Sequence, residues 1–297
     1  MEIVVFGAGS LGSLIGGLLS RVHDVTLVGR RPHMDRVAED GLRIGGLIDE
    51  RVHPTARTEA TGLASDLALV TVKSYDTRVA AEALETGDHD AVCSLQNGLG
   101  NEEVLAEVLD APVLGATVTY GADLVAPGEV LMTGRGEFTV GLFRGGDAAL
   151  LDAVIEALGV ADIAVSDTDD IRTQLWRKLA INAAINPVTA LTRRRNGAVT
   201  ERPLLGVATA AAKEVELVAA VNDVDLVGPQ VISQVREVAA ATAENRSSML
   251  RDVLEERRTE IDAINGAVVD RAGVAEVPVN EALAALIRGW ERGLELR

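Results

Sequence analysis

Three glycines near the N-terminus constrain the fold of this chain more than any other feature. The run EIVVFGAGSLGSLIGGLL places Gly7, Gly9 and Gly12 between a short apolar strand pattern and a helical pattern of small residues. G-x-G-x-x-G in a strand–turn–helix context is typical of dinucleotide-binding domains. We expect Gly7 to permit the tight turn, Gly9 to let the backbone approach a pyrophosphate and Gly12 to allow close strand–helix packing. The predicted phosphate loop also includes the intervening Ala8, Ser10 and Leu11.

The end of the second predicted strand distinguishes between dinucleotides. This strand, DVTLVG at residues 24–29, is followed by Arg30 and Arg31 and carries no acidic residue at its tip. A site that prefers NAD usually has Asp or Glu there, which binds the ribose 2′-hydroxyl. Guanidinium groups suit a 2′-phosphate, which arginine can bind in a bidentate manner. The pair therefore favours NADP(H), and an exposed arginine pair without a ligand is the alternative.

Further alternation of strand and helix patterns indicates an open parallel sheet. DLALVTV at 66–72 predicts a strand ending at Lys73, and AVCSLQNGLG at 91–100 predicts a strand ending near Asn97 before a helix from Asn101. Ligands of such sheets bind at the carboxyl ends of the strands, so Lys73 and Asn97 are expected beside a ligand. Shorter strands, with antiparallel edges as an option, are expected to complete the sheet at 113–119, 129–133 and 138–142.

Helical patterns replace strand patterns from about residue 168. We therefore predict an α/β Rossmann-type dinucleotide-binding domain over residues 1–167 and an all-α domain over 168–297. The first helix begins among capping Asp and Thr residues and runs to Asn186, where Pro187 is expected to kink or end it. Further helical segments are predicted at 203–222, from near Val227, and at 245–273 with a break near Thr259.

Charge limits the classes of partner. The 297-residue chain has 45 acidic and 28 basic residues, a formal net charge of −17. This charge argues against nucleic acid, because phosphate binding needs a basic surface. The carboxylates are dispersed, and only three of the basic residues are lysines. The pattern favours an acidic surface adapted to a high-salt interior, where salt screens self-repulsion; an ordinary acidic protein is the alternative.

The remaining composition excludes several kinds of site. Cys93 is the single cysteine, so an intrachain disulfide and a cysteine metal cluster are excluded; its apolar surroundings predict a buried structural thiol. The four histidines show no ligand spacing, and we expect no metal. Residues 1–20 do not resemble a signal peptide, and charges interrupt the apolar stretch at 204–221. We therefore expect a cytoplasmic protein.

One lysine stands in the mostly apolar run WRKLAINAAINPVTAL, residues 176–191. Residues four apart on a helix differ by about 40°, so Lys178, Asn182 and Asn186 form one row, called here the polar row. Buried polar side chains need partners, and a structural network would satisfy them as well as a substrate would. The scarcity of lysine favours the catalytic alternative, because arginine can serve as a structural cation but cannot readily release a proton.

The motifs together resemble one family, ketopantoate reductase (2-dehydropantoate 2-reductase), in order and over nearly the whole chain. The most specific patterns are K-L-x-x-N-x-x-x-N-P and R-x-T-E-I-D-x-I-N-G. The segments that carry the resemblance are GAGSLG, the tip at Arg30, VTVKSY, LQNGLG, WRKLAINAAINPVTAL and ENRSSML…RRTEIDAINGAVV. The resemblance implies reduction of 2-dehydropantoate to (R)-pantoate with NADPH, a step towards pantothenate and coenzyme A.

The resemblance also implies roles for individual residues. Lys178 matches the general acid that protonates the carbonyl oxygen as hydride reaches C2, and Glu260 matches the carboxylate that orients this lysine and the substrate hydroxyl. Without the resemblance, Glu260 also fits an ordinary acid in the first turn of a helix. Ser248 matches a position near the substrate carboxylate. The other implied positions are Asn182, Asn186 and Asn97 for substrate, Asn97 and Lys73 at the nicotinamide end, and Gly7, Gly9, Gly12 and Arg30 at the phosphates.

Two other functions remain open at this point. The same architecture could reduce a different 2-oxoacid, for instance another branched one or an opine-type substrate. A non-catalytic dinucleotide sensor would keep the glycines and Arg30 but would need neither Lys178 nor Glu260, which disfavours it. We expect a small-molecule 2-oxoacid as partner, no nucleic acid, no membrane, and a homodimer as the candidate assembly.

Overall fold

The phosphate-loop glycines connect the first strand to the first helix of a parallel sheet. The computed structural model describes residues 1–226 and 228–297. These residues form two compact units. The N-terminal unit comprises residues 1–96 and 101–171, and the helical unit comprises residues 97–100 and 172–297.

The N-terminal unit has α/β architecture. Its strands are β1 (Glu2–Phe6), β2 (Asp24–Val28), β3 (Leu42–Gly46), β4 (Glu50–Val52), β5 (Thr55–Arg57), β6 (Ala64–Ser65), β7 (Leu67–Val70), β8 (Asp88–His89), β9 (Val92–Ser94), β10 (Val113–Val118), β11 (Gly121–Ala126), β12 (Glu129–Gly134), β13 (Phe138–Arg144) and β14 (Val165–Asp167). Its helices are α1 (Ser10–Leu19), α2 (His33–Asp40), α3 (Thr77–Glu85), α4 (Asn101–Val108) and α5 (Ala148–Val160).

The larger sheet has the strand order β14-β13-β10-β9-β7-β1-β2-β5. Six neighbouring strands of this sheet, β10, β9, β7, β1, β2 and β5, are mutually parallel. Their spatial order, numbered along the chain, is the 3-2-1-4-5-6 order of dinucleotide-binding folds. The order reverses between β1 and β7, where Phe6 is in register with Val70. The segments that begin at Gly7 and Thr71 therefore leave the sheet side by side at its carboxyl edge, where ligands of such folds bind.

The predicted strands at 113–119 and 138–142 are confirmed as β10 and β13, which form an antiparallel pair in this sheet. The prediction that 129–133 joins the same sheet is wrong. That segment is β12 of a separate four-stranded sheet with the order β11-β12-β3-β4. The reason is local: a tight turn with Gly128 at φ +78° pairs β12 with β11. The other edge of β12 then pairs in parallel with β3.

Helix α1 packs closely against side chains from both sheets. A Cβ atom on Gly16 would lie 2.3 Å from a methyl group of Leu27 in β2, and one on Gly17 would lie 2.8 Å from a methyl group of Ile44 in β3. Leu14 and Leu19 of the same helix are fully buried. The small residues that follow the phosphate loop thus let α1 approach both sheets, and this fixes its N-terminal end beside the loop.

Among the described residues, the longest helix of the helical unit is α6 (Ile171–Thr192), with 22 residues. The helices of this unit are α6 (Ile171–Thr192), α7 (Leu204–Val221), α8 (Gly228–Ala241), α9 (Ser248–Leu254), α10 (Ala267–Asp270) and α11 (Pro278–Gly293), with a 3₁₀ turn at Asn196–Thr200 and a π turn at Asp262–Gly266. The fold class is therefore the predicted one, a Rossmann-type domain followed by an all-α domain. The helix predicted at 203–222 is confirmed as α7. The predicted helix start near Val227 lies outside the described residues.

Two helical predictions need correction. Helix α6 does not end at Pro187 but continues to Thr192. The segment 245–273 is interrupted over more residues than the predicted break near Thr259, because α9 ends at Leu254 and helical backbone resumes only at Asp262. Glu256 has a positive φ of 52°. The N–H and the hydroxyl of Thr259 both donate to Glu291 Oε1 at 2.7 Å. The chain therefore follows side-chain bonds here instead of a helical ladder.

Several expected properties can be compared with the structure. Cys93 is buried in β9, which confirms the predicted buried thiol, and burial raises the pKa of this thiol. Among the described residues, no group of three or more His, Cys, Asp or Glu side chains is arranged to hold a metal ion. We also find, over the same residues, no helix with the length and apolar character needed to cross a membrane.

Candidate active site

The phosphate loop is held by hydrogen bonds to neighbouring strands. The N–H groups of Gly7 and Ala8 both donate to the carbonyl of Val28 at 2.9 Å. The hydroxyl of Thr71 donates to the carbonyl of Gly7 at 2.8 Å. The hydroxyl of Ser10 accepts from the N–H of Leu124 in β11 at 3.0 Å. The loop and the first residue of α1 are thus fixed by the N-terminal unit itself.

The three motif glycines differ in what surrounds them. Gly7 has a φ of +116°, and a Cβ atom there would lie 2.6 Å from the backbone nitrogen of Val72. A Cβ atom on Gly12 would lie 2.3 Å from the carbonyl oxygen of Gly7. Gly9 has an ordinary φ of −84°, and its nearest neighbour would be 3.9 Å away. Turn and packing therefore require Gly7 and Gly12, whereas the bare backbone at Gly9 is left exposed, as close approach of a pyrophosphate requires.

The two arginines after β2 are exposed and paired with carboxylates. Arg30 Nη2 lies 2.9 Å from Asp76 Oδ2, and the Arg30 side chain is 88% exposed. Arg31 Nε lies 3.4 Å from Asp35 Oδ1. Exposed ion pairs contribute little to stability, so either guanidinium can exchange its carboxylate for a phosphate. Asp76 was not among the predicted site residues, but the predicted parallel sheet could have indicated it, since the loops after parallel strands emerge at one sheet edge.

Lys73 lies in the turn after β7, half-buried, and immediately precedes the 3₁₀ turn Ser74–Asp76. The strand ends at Val70, before the predicted end at Lys73. The side-chain amide of Gln96 donates to the carbonyl of Val72 at 3.0 Å and to the Thr77 hydroxyl at 2.7 Å. Gln96 therefore fixes the turn that carries Lys73 at the carboxyl edge of the sheet.

Asn97 and Glu260 are brought together within the helical unit. The Asn97 amide nitrogen lies 3.4 Å from Glu260 Oε2, although the two residues are 163 positions apart in the chain. The N–H of Leu99 donates to the carbonyl of Ala263 at 3.0 Å. A Cβ atom on Gly98, whose φ is +85°, would lie 2.4 Å from the same carbonyl oxygen. The loop 97–100 is thus seated on the π turn that follows Glu260.

The polar row lies on α6 as predicted from its spacing. Asn186 is buried, and Lys178 and Asn182 are half-buried. The amide nitrogen of Asn182 is buried and has no hydrogen-bond partner among the described residues. A buried donor without a partner is costly, so an acceptor on a bound molecule would stabilise it. This amide is the feature of the row that most directly indicates a ligand.

Glu260 and Ser248 are positioned by neighbours that were not among the predicted site residues. Glu260 is 6% exposed and precedes the π turn instead of lying in the first turn of an α-helix; the bonds from Thr259 to Glu291 anchor it. Ser248 is the exposed first residue of α9. Its neighbour Ser247 is buried and accepts from the N–H of Leu250 at 3.0 Å. The hydroxyls of Ser247 and Thr189 lie 2.7 Å apart. Serine before an apolar helical run is a capping signal that could have indicated Ser247.

Comparison with known proteins identifies the family. A model described as ketopantoate reductase PanE/ApbA matches residues 3–145, and the model of the C-terminal part of the same family matches residues 170–291. This chain belongs to the ketopantoate reductase family. The predicted resemblance is confirmed over both halves of the chain, and the protein is an oxidoreductase with a nicotinamide dinucleotide as its cofactor class.

Individual relatives match over their full length. The 2-dehydropantoate 2-reductase of Archaeoglobus fulgidus is 41% identical over 300 residues, which cover 99% of each protein. The crystal structure of a PanE/ApbA family ketopantoate reductase from Ralstonia eutropha JMP134 has a TM-score of 0.90 at 32% identity, covering 99% of this chain and 100% of that one. The ternary structure of D-mandelate dehydrogenase with NADH and anilino(oxo)acetate has a TM-score of 0.94 over both complete chains, but at 22% identity it shows only the fold.

Proposed function

We propose that this protein catalyses the NADPH-dependent reduction of 2-dehydropantoate to (R)-pantoate, in the route to pantothenate and coenzyme A. The observation that carries the proposal is the match of both halves of the chain to the ketopantoate reductase family. The polar row with its buried, unpartnered Asn182 amide and the Asn97–Glu260 contact support a reaction site in the same chain.

The residues of the N-terminal unit fit a dinucleotide. The bare backbone at Gly9 and the first-turn N–H groups of α1, which have no intrahelical acceptors, suit a pyrophosphate at the positive end of a helix. The exposed Arg30, whose partner Asp76 is an exchangeable carboxylate, suits a 2′-phosphate and supports NADPH over NADH. When bound, the nicotinamide supplies the hydride. We assign Lys73 and Asn97 to its surroundings, and Ala8, Ser10, Leu11 and Gly12 to the phosphate loop.

The residues of the helical unit would then move a proton and orient the substrate. Lys178 donates a proton to the oxygen of the substrate carbonyl as negative charge develops there, which arginine could not do. Glu260, held near Asn97, orients Lys178 and the substrate hydroxyl. The amide of Asn182 donates to a substrate oxygen, and Asn186 and Ser248 complete the contacts, with Ser248 at the carboxylate.

The direct test follows NADPH oxidation by absorbance with purified protein and 2-dehydropantoate, in dilute and in molar salt. We expect turnover, with NADPH preferred to NADH in a parallel titration. Turnover of another 2-oxoacid in the absence of turnover of 2-dehydropantoate would contradict the substrate assignment. Binding of NADPH without reduction of any 2-oxoacid would instead favour a dinucleotide sensor.

A further inference from the structure

Pro187 lies inside α6, and its effect on the helix requires compensation. A proline cannot donate a hydrogen bond to the carbonyl four residues earlier, which here is the carbonyl of Ala183. Ala183 is fully buried, so this oxygen would be costly to leave without a donor. The amide of Asn265, 82 positions further along the chain, donates to it at 3.1 Å. A side chain from the π turn thus replaces the backbone bond that Pro187 removes, and α6 continues past the proline.

Asn265 belongs to a buried network that joins four segments of the helical unit. Its amide also donates to Asn280 Oδ1 in α11 at 2.9 Å, and both asparagines are fully buried. Asn280 in turn donates to the carbonyl of Ala211 at 3.1 Å and to Glu214 Oε2 at 2.7 Å, both in α7. Glu214 accepts from the N–H groups of Val279 and Asn280 at 2.9 and 2.8 Å. The π turn, α6, α7 and α11 are therefore held together by two amides and one carboxylate.

The bond between Asn265 and Ala183 connects the two groups of residues assigned to the reaction. Ala183 is the next residue in the chain after Asn182, which belongs to the polar row. On the other side, the carbonyl of Glu260 accepts from the N–H of Ile264 in the π turn at 3.1 Å. We propose that Asn265 is a positioning residue, which holds the polar row of α6 in register with Glu260. The proposal rests on the proposed function, since it concerns the rate of that reaction.

The test compares the loss of Asn265 in the presence and in the absence of Pro187. In Asn265→Leu, the Ala183 carbonyl loses its donor, and we expect kcat to fall about 10- to 100-fold, as small displacements of catalytic groups do, with little change in KM for NADPH. In Asn265→Leu/Pro187→Ala, residue 187 regains an N–H that can reach Ala183. We expect this double variant to recover part of the loss in kcat, because the two substitutions act on the same carbonyl and are therefore not additive.

Controls separate positioning from stability. All rates are measured well below the Tm of every variant and normalised to folded protein. Asn222→Leu is the control for the loss of an amide that bridges two carbonyls, those of Val218 and Arg271; unlike Asn265, Asn222 is exposed, and it is not among the residues assigned to the reaction. We expect it to keep the wild-type kcat. If Asn265→Leu does not fold, Asn265→Ser serves in the same comparison.

Two results would overturn the positioning role: a wild-type kcat in folded Asn265→Leu, or a lowered kcat that Pro187→Ala does not raise at all. Absence of turnover by the unmodified protein would count against the proposed function instead, so the two failures are distinguishable.

A second, independent feature is a cationic cavity in the helical unit. The exposed side chains of Arg202, Lys213 and Arg236 line one cavity of about 300 Å³ that is open to solvent, together with neutral residues. The sequence has three lysines. Lys213 is the one that is not assigned to the proposed reaction site. The acidic residues adjacent to these cations in the chain are engaged elsewhere. Glu201 pairs with Arg194 at 3.3 Å. Glu214 accepts from two N–H groups at the start of α11. Glu237 accepts from the hydroxyl of Ser233 at 2.7 Å.

This cavity is open at α7. A Cβ atom on Gly206 would meet nothing within 4 Å, and Ala210 and Thr209 follow it on the same face of α7. No carboxylate lines the cavity among the residues that the structure describes. In a chain with a net charge of −17, three cations without a facing acid favour an anionic occupant. We infer that this cavity binds a small phosphate-bearing anion, gripped by two guanidinium groups and one ammonium group.

Pyrophosphate is the probe, titrated calorimetrically into protein saturated with NADPH so that the phosphate loop is already filled. We expect saturable binding that weakens about tenfold or more in Arg202→Gln/Arg236→Gln, because charge-assisted bonds are lost. The control Arg193→Gln/Arg292→Gln removes the same charge elsewhere and should bind as the wild type does. Equal binding by both double variants would overturn the inference. A second result would also overturn it: no saturable pyrophosphate binding, together with a change in the sedimentation mass of Arg202→Gln/Arg236→Gln. That result would assign the three cations to a contact between copies of the chain.

Discussion

The phosphate loop and the polar row of α6 obtain their geometry by opposite means. The loop depends on the absence of side chains, because a Cβ atom on Gly7 or Gly12 would overlap the backbone. The polar row depends on buried side chains from distant positions, above all Asn265, which supplies the bond that Pro187 removes. A cofactor loop can therefore be recognised from a few residues of sequence, although neighbouring strands hold it, whereas the geometry of the polar row depends on buried side chains that its own sequence does not reveal.

Within the polar row, the largest effect is expected at Lys178. Lys178→Ala removes the proposed general acid, and a positioned acid contributes about 10²- to 10⁴-fold to rate. We expect kcat to fall within that range while the Kd for NADPH, measured by fluorescence titration, stays near that of the unmodified protein. Lys178→Arg keeps the positive charge but cannot readily release a proton, so it should be nearly as inactive. Full activity in either variant would remove Lys178 from the mechanism.

The second prediction contrasts two glycines of the loop. Gly12→Ala places a methyl group 2.3 Å from the Gly7 carbonyl oxygen, and overpacking of this kind costs about 1–3 kcal/mol. Gly9→Ala meets no atom closer than 3.9 Å, so the protein without cofactor should keep its stability while NADPH binding weakens. Thermal unfolding with and without NADPH measures both effects. Equal destabilisation of the cofactor-free protein by the two substitutions would show that Gly9 serves packing and not a ligand.

The third prediction concerns the arginine that would distinguish the dinucleotides. Arg30→Ala removes a charge-assisted contact to the proposed 2′-phosphate, and such contacts correspond to about 10- to 100-fold in affinity. We expect this loss for NADPH and little change for NADH in parallel titrations. Asp76→Asn releases Arg30 from its ion pair and should tighten NADPH slightly. Equal losses for both dinucleotides in Arg30→Ala would transfer the role to Arg31 or to neither residue.

Local patterns predicted the N-terminal unit better than the helical one. The glycine spacing, the strands predicted at 24–29 and 66–72 and the start of α4 at Asn101 depend on neighbours in sequence and could be predicted, whereas β3, β4 and β5 were not predicted. The placement of β12 in a second sheet could not be predicted, because the pattern of a strand does not indicate which strands pair with it. The continuation of α6 through Pro187 could not either, since the compensating donor is Asn265. Likewise, spacing places Lys178, Asn182 and Asn186 on one face but does not reveal Thr259 and Glu291 behind Glu260.

The smallest expected effect concerns a buried side chain behind the phosphate loop. His33 accepts from the N–H of Gly128 through Nδ1 at 2.9 Å, and its Nε2 therefore carries the proton that is donated to the Ser13 hydroxyl, also at 2.9 Å. Burial lowers the pKa of His33. Protonation would break the bond from Gly128, which lies in the turn of the second sheet. His33 thus connects α1, behind the phosphate loop, to that sheet.

The sign of the pH effect follows from this lowered pKa. Since the unfolded chain takes up the proton more readily, the stabilisation is complete above the unfolded pKa of 6.5 and is lost as pH falls through that value towards the folded pKa. The unfolding free energy should decrease by at most about 1.4 kcal/mol per pH unit on this account. Denaturant unfolding between about pH 7.5 and 5 should show a flatter profile for His33→Gln than for the unmodified protein. Parallel profiles for His33→Gln and the unmodified protein would mean that this side chain contributes no pH-dependent stability to the N-terminal unit. The phosphate loop would then differ in this respect from the polar row, which depends on the buried side chain of Asn265.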